Sequence, residues 1–475
     1  MRPYTSALSK GLPRSLDQLL SQTSAQQHST TSTLCSHSRR ALSSASHRTL
    51  NDTLSRTMAP SARRSSIIAS YAPMAATHVR QYSASPKSTT HARQYSVATP
   101  TRDASSFAFA FDIDGVLLRS SAPLPGAAAA LTYLHKHNIP FILLTNGGGK
   151  HESERVAELS KKLGVPLSEE NFVQSHTPFK QLVEGTETAE ALKDKTILVT
   201  GGDGDKCRKV AEMYGFKNVV TPGDILMHYP DIWPFNQIFS DYYKSTTRPL
   251  PRPVDIQNLQ NSLKFDAIFV FNDPRDWALD NQIILDLLLS KQGYLGTYSE
   301  KNGDSTLPNN GWQQDGQPKL YFSNPDLFWA TSYHLPRLGQ GGFQACLQGV
   351  WEATTGGAEL KRTIIGKPHY ETYKYGERVL NKYRAQLLGF GDQEEAITPL
   401  KRVFMIGDNP ESDIRGANQF NSPRGTEWTS VLIKTGVYRA GTVPAYTPKV
   451  IVDDVFAAVK WSLEQEGFDT STMEM

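Results

Sequence analysis

The chain has 475 residues, of which 39% are hydrophobic and 20% are charged, and its formal net charge at pH 7 is +3. This length exceeds what one compact core accommodates and favours two or three domains of an ordinary globular protein. No run approaches the roughly 20 apolar residues that a membrane span needs, so the sequence predicts no transmembrane segment. Three widely spaced cysteines, Cys35, Cys207 and Cys346, indicate neither a disulfide framework nor a zinc site.

Residues 1–100 differ in composition from the rest of the chain. They carry 12 Lys and Arg against Asp17 and Asp52, whereas the remaining residues carry 38 basic and 45 acidic side chains. A Ser-, Thr-, Ala- and Arg-rich segment that is almost free of acids predicts a mitochondrial transit peptide and location in the matrix. A disordered cytosolic or chloroplast-type leader is the alternative, and the composition disfavours a nucleic-acid-binding arm.

Two near repeats lie inside this leader. VRQYSA (79–84) and ARQYSV (92–97) each place an arginine three residues before a serine. This spacing resembles a matrix-protease cleavage site after Tyr82 or Tyr95.

The first predicted element of the folded part is the buried strand FAFAFDI (107–113). Asp112 and Asp114 lie at its end, directly before a glycine. Two residues two apart point the same way while the strand geometry persists, and ligands bind at this edge of open parallel sheets. A polar turn without function is the alternative for this motif alone.

Strands and helices alternate along the rest of the chain, which favours an α/β fold with parallel sheets. The predicted strands cover 141–144, 196–200, 266–271, 320–326, 363–368 and 402–408, followed by the apolar segments 430–436 and 450–463; the predicted helices cover 127–137, 156–164, 207–216, 281–293, 343–353 and 370–385, with another helix starting in 176–182.

The order of these elements predicts three folded segments. A first part of the core covers 105–180, a second α/β unit inserted into it covers 181–345, and the second part of the core covers 346–475. Within the inserted unit, residues 228–264 hold prolines and aromatics without a steady period, which predicts a long insertion over a surface. The loop GGDGDK (201–206) matches no phosphate-binding motif, and its aspartates would repel an anion, so it is interpreted as a connecting turn.

Four polar groups follow predicted strands, and parallel strands would bring them to one crevice. These groups are Asp112 with Asp114, Thr145 with Asn146, Lys367, and Asp408 with Asp413. A cluster of carboxylate oxygens without His or Cys suits Mg²⁺, which commonly accompanies phosphate substrates. A lysine in such a site offsets carboxylate repulsion and holds a phosphoryl oxygen.

These motifs resemble, in content and order, those of the haloacid dehalogenase superfamily. The motifs are DIDGVL, ILLTN, IGKP and GDNPESD, spread over nearly all of residues 105–440. The resemblance implies a Rossmann-like parallel-sheet core with an inserted α/β cap domain. The 222 positions between Thr145 and Lys367 place the cap between the second and third motifs, as in the subclass with the larger α/β cap. Within it, the chain resembles the mitochondrial group named for the cat eye syndrome critical region protein.

The resemblance also implies a role for each motif residue. Asp112 would be the nucleophile that forms an aspartyl-phosphate, and Asp114 would be the general acid and base. Thr145 and Asn146 would bind the phosphoryl group, and Lys367 would stabilise its charge. Mg²⁺ would be held by the carboxylates of Asp112 and Asp408 and the backbone carbonyl of Asp114, with Asp413 supporting the metal shell.

The implied activity is Mg²⁺-dependent hydrolysis of a small phosphomonoester. Asn324, Asp326 and Arg337 are the candidate cap contacts to the substrate, together with Phe328 and Trp329, and caps of this subclass often mediate homodimers. Two alternatives remain open: a binding or regulatory protein with little turnover, and a phosphatase for a phosphorylated lipid head group. Only the aromatic, proline-rich segment 228–264 suggests the lipid alternative.

Overall fold

The computed structural model describes residues 105–235, 238–329, 331, 333–391, 393 and 397–475. The predicted transit peptide and its two cleavage sites lie outside these residues. The strands are β1 Phe107–Phe111, β2 Leu118–Arg119, β3 Ala122–Pro123, β4 Phe141–Leu144, β5 Phe172–Val173, β6 Thr196–Thr200, β7 Asn218–Val220, β8 Ala267–Val270, β9 Lys319–Phe322, β10 Phe328–Trp329, β11 Arg337–Leu338, β12 Thr363–Ile364, β13 Arg402–Gly407, β14 Glu427–Ile433 and β15 Val450–Val452.

The α-helices alternate with these strands. They are α1 Ala127–Lys136, α2 Glu152–Leu163, α3 Gln181–Glu184, α4 Lys206–Tyr214, α5 Pro222–His228, α6 Ser240–Thr246, α7 Trp277–Leu289, α8 Gln340–Thr355, α9 Tyr370–Leu387, α10 Arg415–Gln419 and α11 Val455–Gln465. The chain therefore has the α/β architecture that the sequence predicts. Among the described residues, no helix is long and apolar enough to span a bilayer.

The first sheet is parallel and has the strand order β15-β14-β13-β1-β4-β5. The chain builds β1, β4 and β5 on one side and then crosses to β13, β14 and β15 on the other. The strand order therefore reverses between β1 and β13. In open parallel sheets, ligands bind outside the carboxyl ends of the strands at this switch point.

The sequence FAFAF explains why β1 lies at the centre of this sheet. Its three phenylalanines pack on one face against α1, α2 and α11, and its two alanines face α9 on the other. Strand side chains alternate between faces, and a parallel sheet is covered on both, so every residue of β1 is buried. The alanines leave room for α9, whose Gly376 approaches Ile142 and Leu144 of β4.

The second sheet is also parallel, with the order β12-β9-β8-β6-β7. It lies between β5 and β13 in sequence, as expected for an inserted unit. The predicted fold class, a Rossmann-like parallel-sheet core with an inserted α/β cap, is confirmed. We use the name cap for residues 181–364.

The structure differs from the sequence prediction in where the chain returns to the core. The predicted boundary between 345 and 346 falls inside α8, and β12 pairs with β9 of the second sheet rather than with a core strand. We therefore propose that the cap ends after Ile364. The strand that precedes Lys367 consists of only two residues, Thr363 and Ile364. Because its apolar run is so short, the sequence does not indicate whether it joins the first or the second sheet.

The segment 228–264 packs over the cap through α6. Tyr243 of α6 is buried against α5, where Gly223 lies close to its ring, and its hydroxyl donates to Asp276 at the start of α7. Phe235, Ile238 and Phe239 in the same segment are exposed. The prediction of an insertion lying over a surface is consistent with this packing.

Candidate functional site

The candidate site lies at the switch point of the first sheet. Asp112 follows β1 and Asp408 follows β13, the two strands between which the strand order reverses. The backbone N–H of Asp112 donates to Ile406 O at 3.0 Å, which extends the strand pairing up to the first carboxylate. The parallel register therefore brings two carboxylates that are almost 300 residues apart in sequence to one edge.

Lys367 lies between two of the carboxylates. Its Nζ is 2.8 Å from Asp112 Oδ1 and 2.7 Å from Asp413 Oδ1. Lys367 and Asp413 are fully buried, and Asp112 is nearly so. Burial disfavours the charged amine, but the two carboxylates outweigh it and raise the pKa of Lys367 above its ordinary value. The lysine is therefore charged and paired with both aspartates.

Asp112, Asp408 and Asp413 form the acidic cluster of the site. One oxygen from each lies within 4.8 Å of the others. Burial and the neighbouring carboxylates raise the pKa of Asp408 well above its ordinary value, and burial raises that of Asp413 to about 6 in spite of Lys367. Three carboxylates against one lysine leave an excess of negative charge, and the donors are all oxygen, so the cluster fits a hard divalent cation such as Mg²⁺.

Asp114 and Thr145 lie beside this cluster. A Cβ on Gly147 would lie 3.3 Å from Thr145 Oγ1 and 3.5 Å from Asp114 Oδ2, so both side chains border the same loop. Asp114 is exposed, whereas Thr145 is buried and its Oγ1 accepts from Gly147 N at 3.0 Å. Desolvation by the surrounding protein and the nearby Asp112 raise the pKa of Asp114. The structure thus brings both predicted residues to the edge that carries Asp112.

Asn146 contacts the backbone of Lys367 from across the cleft. Lys367 N donates to Asn146 Oδ1 at 2.7 Å, and Asn146 Nδ2 donates to Lys367 O at 2.8 Å. The same Nδ2 donates to Asp326 Oδ2 at 3.1 Å. The side-chain amide of Asn146 is therefore fully engaged in holding the lysine loop and a loop of the cap.

The cap loop after β9 reaches the core through two predicted residues. Asn324 Nδ2 donates to Asn146 O at 3.1 Å, and Asn324 Oδ1 accepts from Asp326 N at 2.8 Å. Partial burial raises the pKa of Asp326 to about 7, opposed by the hydrogen bond from Asn146 and by Lys367. Asn324 and Asp326 therefore bring the cap loop into contact with the core at Asn146.

The structure does not bring Arg337 into this cluster. Arg337 belongs to β11, which pairs with β10 in a hairpin, and it is exposed. Its guanidinium lies 4.5 Å from the ring centre of Tyr333, and its Nε donates to Pro336 O. Phe328 and Trp329 of β10 are exposed as well.

Sequence reasoning missed the loop after β14, which supports Asp408. Val437 N donates to Asp408 Oδ2 at 2.6 Å, and Tyr438 N donates to Asp408 O at 3.0 Å. A Cβ on Gly436 would lie 1.8 Å from Asp408 Oδ2, so only glycine allows this approach. These contacts come from backbone atoms. The residue types of GVY (436–438) do not by themselves indicate a catalytic or metal site in a sequence.

A buried network joins the core to the cap beside the site. His176 Nε2 accepts from Gly149 N at 3.1 Å, and its Nδ1 lies 2.8 Å from the hydroxyl of Tyr214 on cap helix α4. Tyr214 also donates to Glu152, which accepts from Thr177 at 2.6 Å. Burial lowers the pKa of His176 to about 4, so it is neutral at pH 7. These contacts indicate a structural role for His176.

Two family models match the chain. The model described as haloacid dehalogenase-like hydrolase matches residues 109–217, and a second model of the same kind matches residues 364–458. The two matches contain Asp112, Asp114, Thr145, Lys367, Asp408 and Asp413.

Two curated relatives are each 40% identical to the chain. One is a mitochondrial hydrolase of Saccharomyces cerevisiae, with 76% of this chain and 97% of the relative covered. The other is a fusion of cardiolipin synthase and a mitochondrial hydrolase in Schizosaccharomyces pombe, with 75% of this chain covered. The chain spans about half (53%) of that fusion protein.

A solved structure of similar fold is that of a 4-nitrophenylphosphatase from Thermotoga maritima. It is 16% identical, and the match covers 75% of this chain and 97% of the other with a TM-score of 0.43.

Proposed function

Because the chain belongs to the haloacid dehalogenase-like hydrolases, we propose that it hydrolyses a small phosphomonoester at the switch point of the core sheet, with Asp112 as the nucleophile. The observation that carries this proposal is the position of Lys367, whose Nζ is paired with both Asp112 and Asp413 at the centre of the carboxylate cluster. A buried cation at this point pairs with the Asp112 carboxylate and supplies positive charge where a phosphoryl group would bind.

In the proposed first step, a carboxylate oxygen of Asp112 attacks phosphorus, and the bond from phosphorus to the leaving oxygen breaks. Asp114 donates its proton to that oxygen, so the alcohol leaves in neutral form. The Thr145 hydroxyl and the Lys367 ammonium hold the phosphoryl oxygens. Asp114 suits the acid role because its side chain is accessible while the other carboxylates are buried.

In the proposed second step, water attacks the phosphorus of the aspartyl-phosphate. Asp114, now ionised, takes a proton from the water, and the bond between phosphorus and Asp112 breaks. Inorganic phosphate leaves, and both aspartates return to their initial states. Division of one difficult displacement into two easier ones is the general advantage of a covalent intermediate.

Mg²⁺ is the proposed cofactor. The carboxylates of Asp112 and Asp408 and the backbone carbonyl of Asp114 would hold it, and Asp413 would support them. When bound, the ion would neutralise part of the charge on the phosphoryl oxygens. Asp408 suits this role because Val437 N fixes one of its oxygens while Lys367 pairs with the other two aspartates.

Asn146 is proposed here as a positioning residue for Lys367 rather than as a phosphate ligand, because both ends of its amide are engaged with protein. Asn324 and Asp326 are proposed to choose the substrate from the cap side of the cleft. Arg337 lies on the hairpin of β10 and β11. We therefore propose that it contacts an anionic group of the substrate only if the substrate extends to this hairpin. A homodimer through the cap is proposed on the same exposed hairpin.

We propose that the enzyme is located in mitochondria, in the matrix. The acid-poor leader supports this location, and both curated relatives are named as mitochondrial hydrolases. A binding or regulatory protein with little turnover is the less favoured alternative, because all the motif residues are present and most of them lie together.

A phosphorylated lipid head group is a second candidate substrate. The hairpin that follows Asp326 exposes a series of large apolar side chains, and the Schizosaccharomyces pombe relative joins a similar hydrolase to a phospholipid synthase. These side chains are Leu327, Phe328, Trp329, Tyr333, Leu335 and Leu338. Aromatic side chains at a membrane surface would bring the cleft to the head groups.

The experiment that tests the proposal measures phosphate release from a panel of phosphomonoesters, with and without Mg²⁺. The panel contains soluble esters and phosphatidylglycerophosphate vesicles, and Asp112→Asn is the control. Metal-dependent turnover that the control lacks is expected. No turnover on any compound by folded protein would favour the binding-protein alternative, and turnover on vesicles alone would establish the lipid candidate.

A further inference from the structure

A second pocket lies in the cap, at the carboxyl edge of its parallel sheet. It holds about 460 Å³ including its open mouth. The strand order β12-β9-β8-β6-β7 reverses between β6 and β8, and the pocket is lined by Thr200 at the end of β6 and by Arg275 and Asp276 after β8. It therefore occupies the same position in the cap sheet as the candidate catalytic site does in the core sheet.

Arg208 is the feature that indicates a ligand. This residue of α4 lines the pocket and is 1% exposed. Its Nη2 donates to Asp224 at 2.7 Å and to Thr221 at 2.9 Å, but its Nε and Nη1 have no hydrogen-bonding partner. Buried polar groups are nearly always satisfied, and an arginine with free N–H groups beside a pocket is suited to an oxyanion.

The glycine loop and the N-terminus of α4 form another side of the pocket. Gly201, Gly202 and Gly204 have positive φ and line the pocket directly before the N-terminus of α4. A Cβ on Gly201 would lie 2.1 Å from Asn272 O, so the tight loop requires glycine. Gly202 N donates to Asp273 O and Gly204 N to the Tyr242 hydroxyl, so the favourable contribution here is the positive end of the α4 dipole rather than these N–H groups.

The aspartates of GGDGDK do not repel an anion in the way that the sequence suggests. Asp203 pairs with Arg275 at 2.9 Å, and Asp205 pairs with Lys209 at 2.9 Å. Both partners lie outside the loop, so the sequence pattern alone does not reveal the neutralisation.

Asp280 also lines the pocket. It is buried and accepts a hydrogen bond from the Thr200 hydroxyl at 2.6 Å. Burial and the neighbouring Asp276 raise the pKa of Asp280 to about 7, opposed by Thr200. In its protonated form Asp280 is a donor, and in that form it is compatible with a bound anion.

We propose that this cap pocket is a non-catalytic binding site for a phosphate group, either free inorganic phosphate or the phosphate of a small metabolite. Arg208 Nε and Nη1 hold the oxygens beside the N-terminus of α4. Among the described residues, those that line the pocket all belong to the cap, so the site is separate from the catalytic cluster. It adjoins the core through Asn272, which contacts Gly201 on one side and approaches Gly149 on the other.

The test is equilibrium dialysis of the full chain against radiolabelled inorganic phosphate in EDTA. The pocket variant is Arg208→Gln combined with Asp224→Asn, which removes the buried ion pair as a unit and leaves no unpaired charge. The matched control, Arg252→Gln with Asp255→Asn, makes the same charge change in the cap at an exposed arginine and a half-buried aspartate that do not line the pocket. Thr246→Phe fills the pocket without a change of charge and decides the question if the double variant does not fold.

The wild type and the control are expected to bind one more phosphate per chain than the pocket variant and Thr246→Phe. Phosphate bound at the catalytic cluster is common to all four proteins, so failure of the catalytic proposal would not alter this difference. Equal binding by all four would overturn the inference. Competition with glycerol 3-phosphate separates the two sources of the phosphate group. If glycerol 3-phosphate binds the pocket more tightly than inorganic phosphate does, the ligand is a phosphorylated metabolite. If it binds more weakly, the ligand is free inorganic phosphate.

Discussion

The side-chain amide of Asn146 makes two hydrogen bonds to the backbone of a single residue, Lys367. Lys367 N donates to Oδ1 at 2.7 Å, and Nδ2 donates to Lys367 O at 2.8 Å. The two residues are 221 positions apart, and one follows a core strand while the other follows the last cap strand. These two bonds fix the point at which the cap returns to the core. They thereby also position Lys367, which is the cation of the site.

Asn146→Ala is expected to lower kcat on 4-nitrophenyl phosphate by about 10–100-fold, because misplacement of a catalytic group by about 1 Å can cost that much. KM is expected to change less, since the amide is engaged with protein. The control Asn171→Ala removes a buried side-chain bond to Ser168 in the core, away from the site. A fall in kcat of the same size in both variants would show that general destabilisation is responsible.

Gly436→Ala is expected to reduce activity strongly, because the new Cβ would lie 1.8 Å from Asp408 Oδ2 and the carboxylate would have to move. Gly349→Ala on α8 is the control, since a Cβ there meets nothing within 4 Å. Alanine in a helix is about 1 kcal/mol more favourable than glycine, so the control is expected to be active and at least as stable. The measurement is kcat/KM together with the thermal midpoint. Full activity of Gly436→Ala would contradict the close approach of this loop to Asp408.

Addition of Mg²⁺ to protein stripped with a chelator is expected to raise its thermal midpoint. The cluster has three carboxylates and one lysine, which pairs with two of them, so a cation would relieve the excess negative charge. A ligand present at 100 times its Kd stabilises the folded state by about 2.7 kcal/mol. Asp408→Asn is expected to lose most of this gain. The control, Asp286→Asn, removes a carboxylate on cap helix α7. This variant is expected to keep the Mg²⁺-dependent gain in its thermal midpoint. A rise of equal size in all three proteins would place the ion elsewhere.

Stability is expected to fall as the pH decreases from about 6.5 towards 4, in part because of His176. Burial lowers the pKa of His176 to about 4 in the folded chain, while the unfolded imidazole binds a proton at its ordinary value of 6.5. The unfolded state therefore binds more protons in this window, and the free energy of unfolding decreases with falling pH. Urea unfolding of wild type and His176→Gln at pH 7.5 and 5 checks this. The variant should lose less stability between the two pH values, and an equal loss would refute the assignment.

The sequence predicts the part of the site that follows long buried strands. Asp112, Thr145 and Asp408 end apolar runs of β1, β4 and β13, and such runs are typical of a sheet covered on both faces. The carboxyl ends of parallel strands then converge without further information. The sequence also predicts Lys367 as a site residue, but it does not predict that the two-residue strand before it joins the cap sheet, because strand pairing of this length is decided by tertiary packing.

Backbone contacts and ion pairs between distant segments account for what the sequence does not predict. Val437 supports Asp408 through its N–H, which every residue but proline has, so no residue type marks it. The aspartates of the GGDGDK loop look unfavourable for an anion until Arg275, 72 positions from Asp203, is found beside it. Asn146 has the predicted location but makes contacts that favour a positioning role.

The most direct test of the account is a search for phosphate on Asp112 during turnover. The full chain would be mixed with substrate and Mg²⁺, quenched in acid and reduced with borohydride, which converts an aspartyl-phosphate to homoserine. Peptide mass spectrometry is expected to find homoserine at position 112, and at no other aspartate, only when substrate is present. Turnover without any modification of Asp112 would contradict the proposed nucleophile and with it the role assigned to Lys367.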